Sequence, residues 1–354
     1  MSTFLNARFA GVAEYVPGEQ PQDKAYIKLN TNESPFPPSK GVVAAVNAAQ
    51  VERLRLYPDP DCKALTKALA DRYGVDTDMV FITNGSDDIL NFCFLGFCDA
   101  GAVFPDITYG FYEVYANLYG VPYETKALDE RFCIRPTDYY NAGKTVVLAN
   151  PNAQTGVALP LTAIEEIVRQ NPDNLVVVDE AYVDFGAQSA VSLTKTYDNL
   201  LVVMTFSKSR SMAGARLGFA IGNSALIADF NRLKYSTNPY NINRLTQLAG
   251  EAALLEDAYY MDNCQEIIRV REWTREQLEI RGFTVTDSKS NFLLAAHPAV
   301  NGKALYQFLK DNGVLVRYLG MPRIVNYNRI TIGTQEQMQK MLDVIDTALE
   351  GVQP

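Results

Sequence analysis

From residue 79 onward, short apolar runs alternate with stretches of helical periodicity. The runs are Met79-Val-Phe-Ile-Thr83, Thr145-Val-Val-Leu-Ala149, Leu175-Val-Val-Val-Asp179, Leu200-Leu-Val-Val-Met204 and Leu217-Gly-Phe-Ala-Ile221. Runs this short with little polar alternation predict strands buried on both faces. Helical patterns between them, such as 86–98 and 160–170, predict a mainly parallel sheet covered by helices. Upstream, the first thirty residues are irregular, with Pro17 and Pro21 as breakers, and Thr31 to Pro38 is a loop by composition. Helices are expected at 40–50 and from Asp61 to Tyr73, with Asp61 as the cap. Residues 244–281 read as one long helical stretch ending at Gly282. The rhythm then changes. Strands are expected in Phe283-Thr-Val285, Asn291-Phe-Leu-Leu-Ala295, Val314-Leu-Val-Arg317 and Arg329-Ile-Thr-Ile332, and helices near 302–312 and 335–350, which together make a small α+β unit.

The chain has 354 residues, more than one compact core usually carries. We therefore expect an α/β fold in two parts: a large domain over 30–280, and a small domain formed by 1–29 and 281–354. With 41 acidic and 32 basic residues the formal charge is −9, which argues against a nucleic-acid surface or an anionic membrane as partner. No apolar stretch is long enough to span a bilayer, and the first residues carry no signal-peptide pattern. The five cysteines are scattered without metal or redox spacing, as free thiols in a reducing cytoplasm would be. The single histidine, His297, lies in Ala-Ala-His-Pro and reads as a turn residue, which leaves no histidine cluster for a metal site.

In open α/β sheets, ligands bind at the carboxyl ends of the strands. Four of the apolar runs are followed there by polar clusters: Asn84-Gly-Ser-Asp87, Asn150-Pro-Asn-Ala-Gln-Thr-Gly156, Asp179-Glu-Ala-Tyr182 and Thr205-Phe-Ser-Lys208. Together they hold a lysine, a carboxylate, a phenol and a glycine-led helix start. Those are the parts that pyridoxal 5'-phosphate chemistry needs. A lysine amine holds the cofactor as a Schiff base and carries protons, and a carboxylate keeps the pyridine nitrogen protonated. A helix N-terminus offers N–H groups to the phosphate.

The segment Thr205-Phe-Ser-Lys-Ser-Arg-Ser-Met-Ala-Gly-Ala-Arg-Leu-Gly218 resembles the Schiff-base segment of class I/II aminotransferases. Asp179-Glu-Ala-Tyr182 resembles their Asp-x-x-Tyr element. Leu29-Asn-Thr-Asn-Glu-Ser-Pro35, Tyr57-Pro-Asp59 and Arg329-Ile-Thr-Ile-Gly-Thr334 are similar to the histidinol-phosphate aminotransferase branch, and the likeness covers about residues 12–350. The resemblance implies the fold-type-I architecture: a mainly parallel seven-stranded sheet in the large domain, with a smaller α+β domain. It implies an amino donor and a 2-oxo acid as substrates, and a homodimer.

It also implies roles. Lys208 forms the Schiff base, Asp179 pairs with the pyridine nitrogen, Tyr182 touches the ring oxygen and Tyr109 stacks on the ring. Gly85, Ser86, Asp87, Thr205, Ser207 and Arg216 surround the phosphate, and Tyr57 reaches the phosphate of the neighbouring subunit. Arg317 and Arg329 take the substrate anion, with Tyr15 and Asn32 nearby. The chain departs from the family in one loop. Where the family reads Asn-Asn-Pro-Thr-Gly, this chain reads Asn152-Ala-Gln-Thr-Gly156. Ala153 thus stands in place of the asparagine that usually meets the ring oxygen, with Asn152 as the candidate to replace it. The residues before Pro105 are also shorter than usual, so that strand is expected to be clipped. Decarboxylation of threonine phosphate and transamination of aromatic or other amino acids stay open on the same residues, as does a ligand sensor without enzymatic activity. No Gly-x-Gly-x-x-Gly of a nicotinamide enzyme occurs.

Overall fold

A computed structural model describes residues 4–9, 11, 12 and 15–351. The remaining residues of the expected small domain lie outside them. The apolar runs form one seven-stranded sheet, in the spatial order Val80–Thr83, Gly218–Gly222, Leu200–Thr205, Val176–Asp179, Thr145–Ala149, Ala102–Pro105, Tyr123–Lys126. Gly218–Gly222 is antiparallel to both of its neighbours, and every other pairing is parallel. Reversing twice across that strand sets Val80–Thr83 in the same direction as the rest. The carboxyl ends at Thr83, Pro105, Ala149, Asp179 and Thr205 therefore share one edge.

Alternate residues of these strands enter opposite cores. Val147, Val177, Leu201 and Val203 face helices Ser86–Gly96, Phe111–Tyr119, Ser224–Thr237 and Asp257–Ile280. Val146, Leu148, Val176, Val178, Leu200 and Val202 face helices Lys63–Tyr73, Leu161–Arg169 and Arg244–Leu255. Each fully buried Val or Leu side chain contributes about 1.5–3 kcal/mol of transfer free energy, which is why these runs contain so few polar residues.

The second sheet is antiparallel, in the order Arg317–Tyr318, Asn328–Thr331, Phe292–Ala296, Thr284–Val285. Phe292, Leu293, Ile330, Met338 and Met341 join the first core, so the two sheets share one continuous apolar cluster. Ile27–Lys28 pairs in parallel with Val314–Leu315 and carries the chain to Asn30–Asn32, between the sheets.

Several expectations are corrected. The helix expected at 40–50 is two, Lys40–Ala45 and Ala48–Glu52, because the Asn47 side chain caps the second. Asp61 does not cap its helix: the Asp59 carboxylate accepts from the N–H groups of Asp61 and Lys63. The stretch 244–281 breaks at Glu256, whose side chain instead accepts the Gly41 N–H at 2.9 Å. Val314–Arg317 is not one strand. Val314–Leu315 belongs with Ile27–Lys28, and Arg317–Tyr318 with the antiparallel sheet. Ala102–Pro105 is short against Thr145–Ala149, pairing with it at only Ala102 and Val103. His297 sits in the turn after Phe292–Ala296, its ring against Phe283 and its Nδ1 accepting the Ala299 N–H. Among the described residues no helix is long and apolar enough to cross a membrane.

Candidate functional site

The strand Val80–Thr83 ends in Asn84-Gly85, and the eleven-residue helix Ser86–Gly96 begins there without a side-chain cap. Gly85 has φ +83°, and a Cβ on it would lie 2.5 Å from the Arg216 guanidinium. The positive φ calls for glycine, and a Cβ would also push the Arg216 guanidinium from its place. A Cβ on Gly218 would meet the Ser86 nitrogen at 2.3 Å, so this residue too must be small for the helix start to settle against the sheet. Arg216 pairs with Asp87 Oδ2 at 3.0 Å and reaches Ser207 Oγ at 3.5 Å. Thr205 Oγ1 donates to Ser207 Oγ at 2.9 Å. Gly85, Ser86, Asp87, Thr205, Ser207 and Arg216 thus gather into one cradle of N–H groups, hydroxyls and a guanidinium. That donor set suits a phosphate.

Asp179 closes the strand Val176–Asp179 on the Val177 face and is buried. Its Oδ2 accepts the Tyr112 hydroxyl at 2.9 Å and its Oδ1 the Ala181 N–H at 3.2 Å. Burial pushes its carboxyl up to about 6, and the Tyr112 bond offsets part of that rise. No ion pair holds it among the described residues. A buried carboxylate of this kind suits a ligand bearing an N–H⁺.

Lys208 lies three residues past the strand Leu200–Thr205, half-buried. Its Nζ is 5.9 Å from the Tyr182 ring centre and donates to the Thr31 carbonyl at 3.3 Å. Tyr182 packs edge-on against Phe292. Tyr109 donates to Asp87 Oδ1 at 2.8 Å, which with burial keeps its phenol protonated, and its ring meets Tyr112 edge-on. A lysine amine, an unpaired buried carboxylate and a phosphate-type cradle along one sheet edge fit pyridoxal phosphate.

Asn32 sits against Tyr182 and is held by Thr331. It is buried at φ +56°, with its side-chain oxygen and one amide N–H engaged. Thr331 Oγ1 accepts the Asn32 backbone N–H, so its own proton goes to Asn32 Oδ1. That leaves Asn32 Nδ2 to donate to the Tyr182 oxygen at 3.0 Å. The phenol proton of Tyr182 must then point elsewhere.

The Asn152 Oδ1 accepts the N–H groups of Gln154 and Thr155, and its Nδ2 donates to the Ile107 carbonyl. The side chain shapes its own loop, with one Nδ2 hydrogen left over from these bonds.

Arg329 and Arg317 face each other in register on adjacent strands. Arg329 Nη1 donates to the Ala153 carbonyl at 3.1 Å and to Gln154 Oε1 at 2.8 Å, its Nη2 to the Asn30 carbonyl at 3.4 Å, and its buried Nε has no partner among the described residues. Arg317 donates from Nη1 to the Pro17 carbonyl and from Nη2 to the Val16 carbonyl. It therefore holds the N-terminal segment that stacks Tyr15 on Phe111. Neither guanidinium has a carboxylate partner among the described residues, and burial pushes Arg329 down. Tyr57 alone stays away from this cluster. It is 78% exposed and stacked on Tyr240. Tyr112 and Gln154 escaped the sequence reading. The one signal for Gln154 was its place where the family has proline.

The family model "Aminotransferase class I and II" matches residues 24–345. The histidinol-phosphate aminotransferase of Marinomonas sp. (strain MWYL1) is 50% identical over 352 residues, covering 98% of this chain and 100% of that one. That of Brachyspira hyodysenteriae is 49% identical over 348 residues, covering 98% of each. Among solved structures, the histidinol-phosphate aminotransferase of Sinorhizobium meliloti in complex with pyridoxal-5'-phosphate superposes with a TM-score of 0.87 at 22% identity, covering 98% of this chain and 100% of that one. At that identity the match speaks for the fold.

Proposed function

The chain belongs to the class I and II aminotransferases, and from that membership we propose that it passes the amino group of L-histidinol phosphate to 2-oxoglutarate, giving the imidazole-acetol phosphate and glutamate. The observation that carries the substrate is an identity of about one residue in two, over almost the whole chain, with aminotransferases named for it. Pyridoxal 5'-phosphate, when bound, supplies a carbonyl that exchanges amines and a ring that draws off electrons from the carbon bearing the amine.

The chain's own residues do the rest. Lys208 anchors the cofactor and, as a free amine, moves the proton at the amine-bearing carbon of the donor. Asp179 holds a proton on the ring nitrogen, where its buried negative charge gains a partner. Tyr182, its oxygen already receiving the Asn32 amide, directs its hydroxyl proton towards the ring oxygen. The Gly85–Asp87 helix start, Ser207 and Arg216 bind the phosphate. Arg329 offers its unpaired Nε edge to the anionic end of either amino partner, phosphate or carboxylate. A substrate panel following glutamate formation tests this: histidinol phosphate is the expected best donor, and good turnover of aromatic amino acids with none of histidinol phosphate would overturn it.

The large and small domains divide, in our reading, near residues 30 and 280. Val43, Val46, Val51, Leu54, Leu56, Tyr57 and Tyr240 leave an exposed apolar surface beside the Tyr57–Tyr240 stack. A second copy of the chain covers it in this proposal, carrying Tyr57 to the neighbouring phosphate site. Light scattering is expected to give twice the chain mass, and a monomer at assay concentration would remove Tyr57 from the site. The free thiols fit a cytoplasmic enzyme.

A further inference from the structure

We propose that Gln154 is the positioning residue that aims Arg329. The inference rests on the reading of Arg329 as the anion holder. Gln154 is buried, and its amide spans two groups that permit only one orientation. The guanidinium of Arg329 can only donate, so it meets Oε1, at 2.8 Å. The Thr108 carbonyl can only accept, so it meets Nε2, at 3.2 Å. Thr108 directly precedes Tyr109, so one side chain ties the arginine to the segment bearing that aromatic residue. The backbone matters too. The Gln154 N–H donates to Asn152 Oδ1 at 2.9 Å, a bond that a proline in this place lacks.

The consequence lies in which edge of Arg329 stays open. Gln154 Oε1 and the Ala153 carbonyl together use the two Nη1 hydrogens. Among the described residues Nη2 has one carbonyl partner, at 3.4 Å, and Nε is buried and unpartnered. The free edge is therefore Nε with Nη2, two parallel N–H groups that match a carboxylate or a phosphate side-on. Gln154 is neutral, so it holds the guanidinium without cancelling its charge. A carboxylate in its place would act as an internal anion on the arginine and compete with substrate.

The test uses the cofactor-loaded enzyme and succinate, a dicarboxylate that binds without reacting, titrated by calorimetry alongside steady-state kinetics. Gln154→Glu is expected to weaken succinate binding and to raise KM for both amino partners by about tenfold or more, since charge-assisted hydrogen bonds are lost, with kcat held. Gln154→Met, of equal length and without hydrogen bonds, is expected to raise them less, and carries the test if the glutamate variant fails to fold. Arg329→Ala serves as reference. Loss of succinate binding in Arg329→Ala with wild-type binding in both Gln154 variants overturns the role of Gln154 alone. Wild-type binding in Arg329→Ala overturns the reading of Arg329 as well. A fall in kcat with KM unmoved in the Gln154 variants also overturns the proposal.

Discussion

Lys208→Ala is expected to lower kcat by about four orders of magnitude while leaving the fold in place. The side chain does little for stability. Its one hydrogen bond among the described residues is to the Thr31 carbonyl at 3.3 Å, and it is only half-buried. Removing such a bond costs on the order of 1 kcal/mol. The amine, in contrast, is both the covalent anchor and the group that moves the proton, and general acid–base help alone contributes up to about 10⁴-fold. The variant should take up cofactor through the phosphate cradle yet lack the visible absorbance of the lysine-bound form. An external amine such as methylamine should restore part of the activity. A variant that kept wild-type turnover would remove Lys208 from the chemistry.

Asp179→Asn is expected to act in opposite directions on stability and on function. The Asp179 carboxyl stands at about 6 against an ordinary value near 4, raised by burial. A folded-state value above the unfolded one means that the folded protein holds the proton more tightly. That contribution to stability is complete below about pH 4 and is lost as pH rises through 6. At pH 8 the cofactor-free protein therefore keeps a buried charge without an ion-pair partner among the described residues, at a cost of about 3 kcal/mol, two pKa units converted. Asparagine retains the shape, and its single oxygen keeps one of the two bonds, from the Tyr112 hydroxyl or from the Ala181 N–H, at a loss of on the order of 1 kcal/mol that is smaller than the charge term. The cofactor-free variant should melt at a higher temperature than wild type at pH 8, with the gap shrinking between pH 6 and pH 4. Its loaded form should show a kcat lower by about 10²-fold or more, because the ring nitrogen loses its counter-charge. Calorimetry of both forms at the two pH values checks the sign. A lower melting temperature for the cofactor-free variant at pH 8 would show that Asp179 is already compensated.

The buried strands were legible because burial on both faces leaves almost no place for polar residues, and that is written directly into Val176–Asp179 and Leu200–Thr205. The edge strand Tyr123–Lys126 was not, since Glu124 and Thr125 are exposed and nothing local distinguishes them from a loop. The helix break at Glu256 was equally hidden. It carries no glycine or proline, and its side chain answers to Gly41, 215 residues away. The same division runs through the site. Lys208, Asp179 and the Gly85 cradle could be placed because each follows a strand that shares one edge. What Asn152, Asn32 and Arg317 do with their hydrogen bonds could not be placed. Those depend on Ile107, Thr331 and Val16, partners that only the tertiary fold supplies.

Asn32 also bears on when a working enzyme exists during synthesis. Its backbone and side chain both close on Thr331, 299 residues further along, while its amide reaches back to Tyr182. The seven-stranded sheet is complete in sequence by Gly222, so the scaffold can assemble while the chain is still growing. The phenol at 182 is not aimed until the strand Asn328–Thr331 has left the ribosome and docked. Contacts of such long separation form late, since loop closure must precede them. The aiming of Tyr182 thus follows the completion of the seven-stranded sheet.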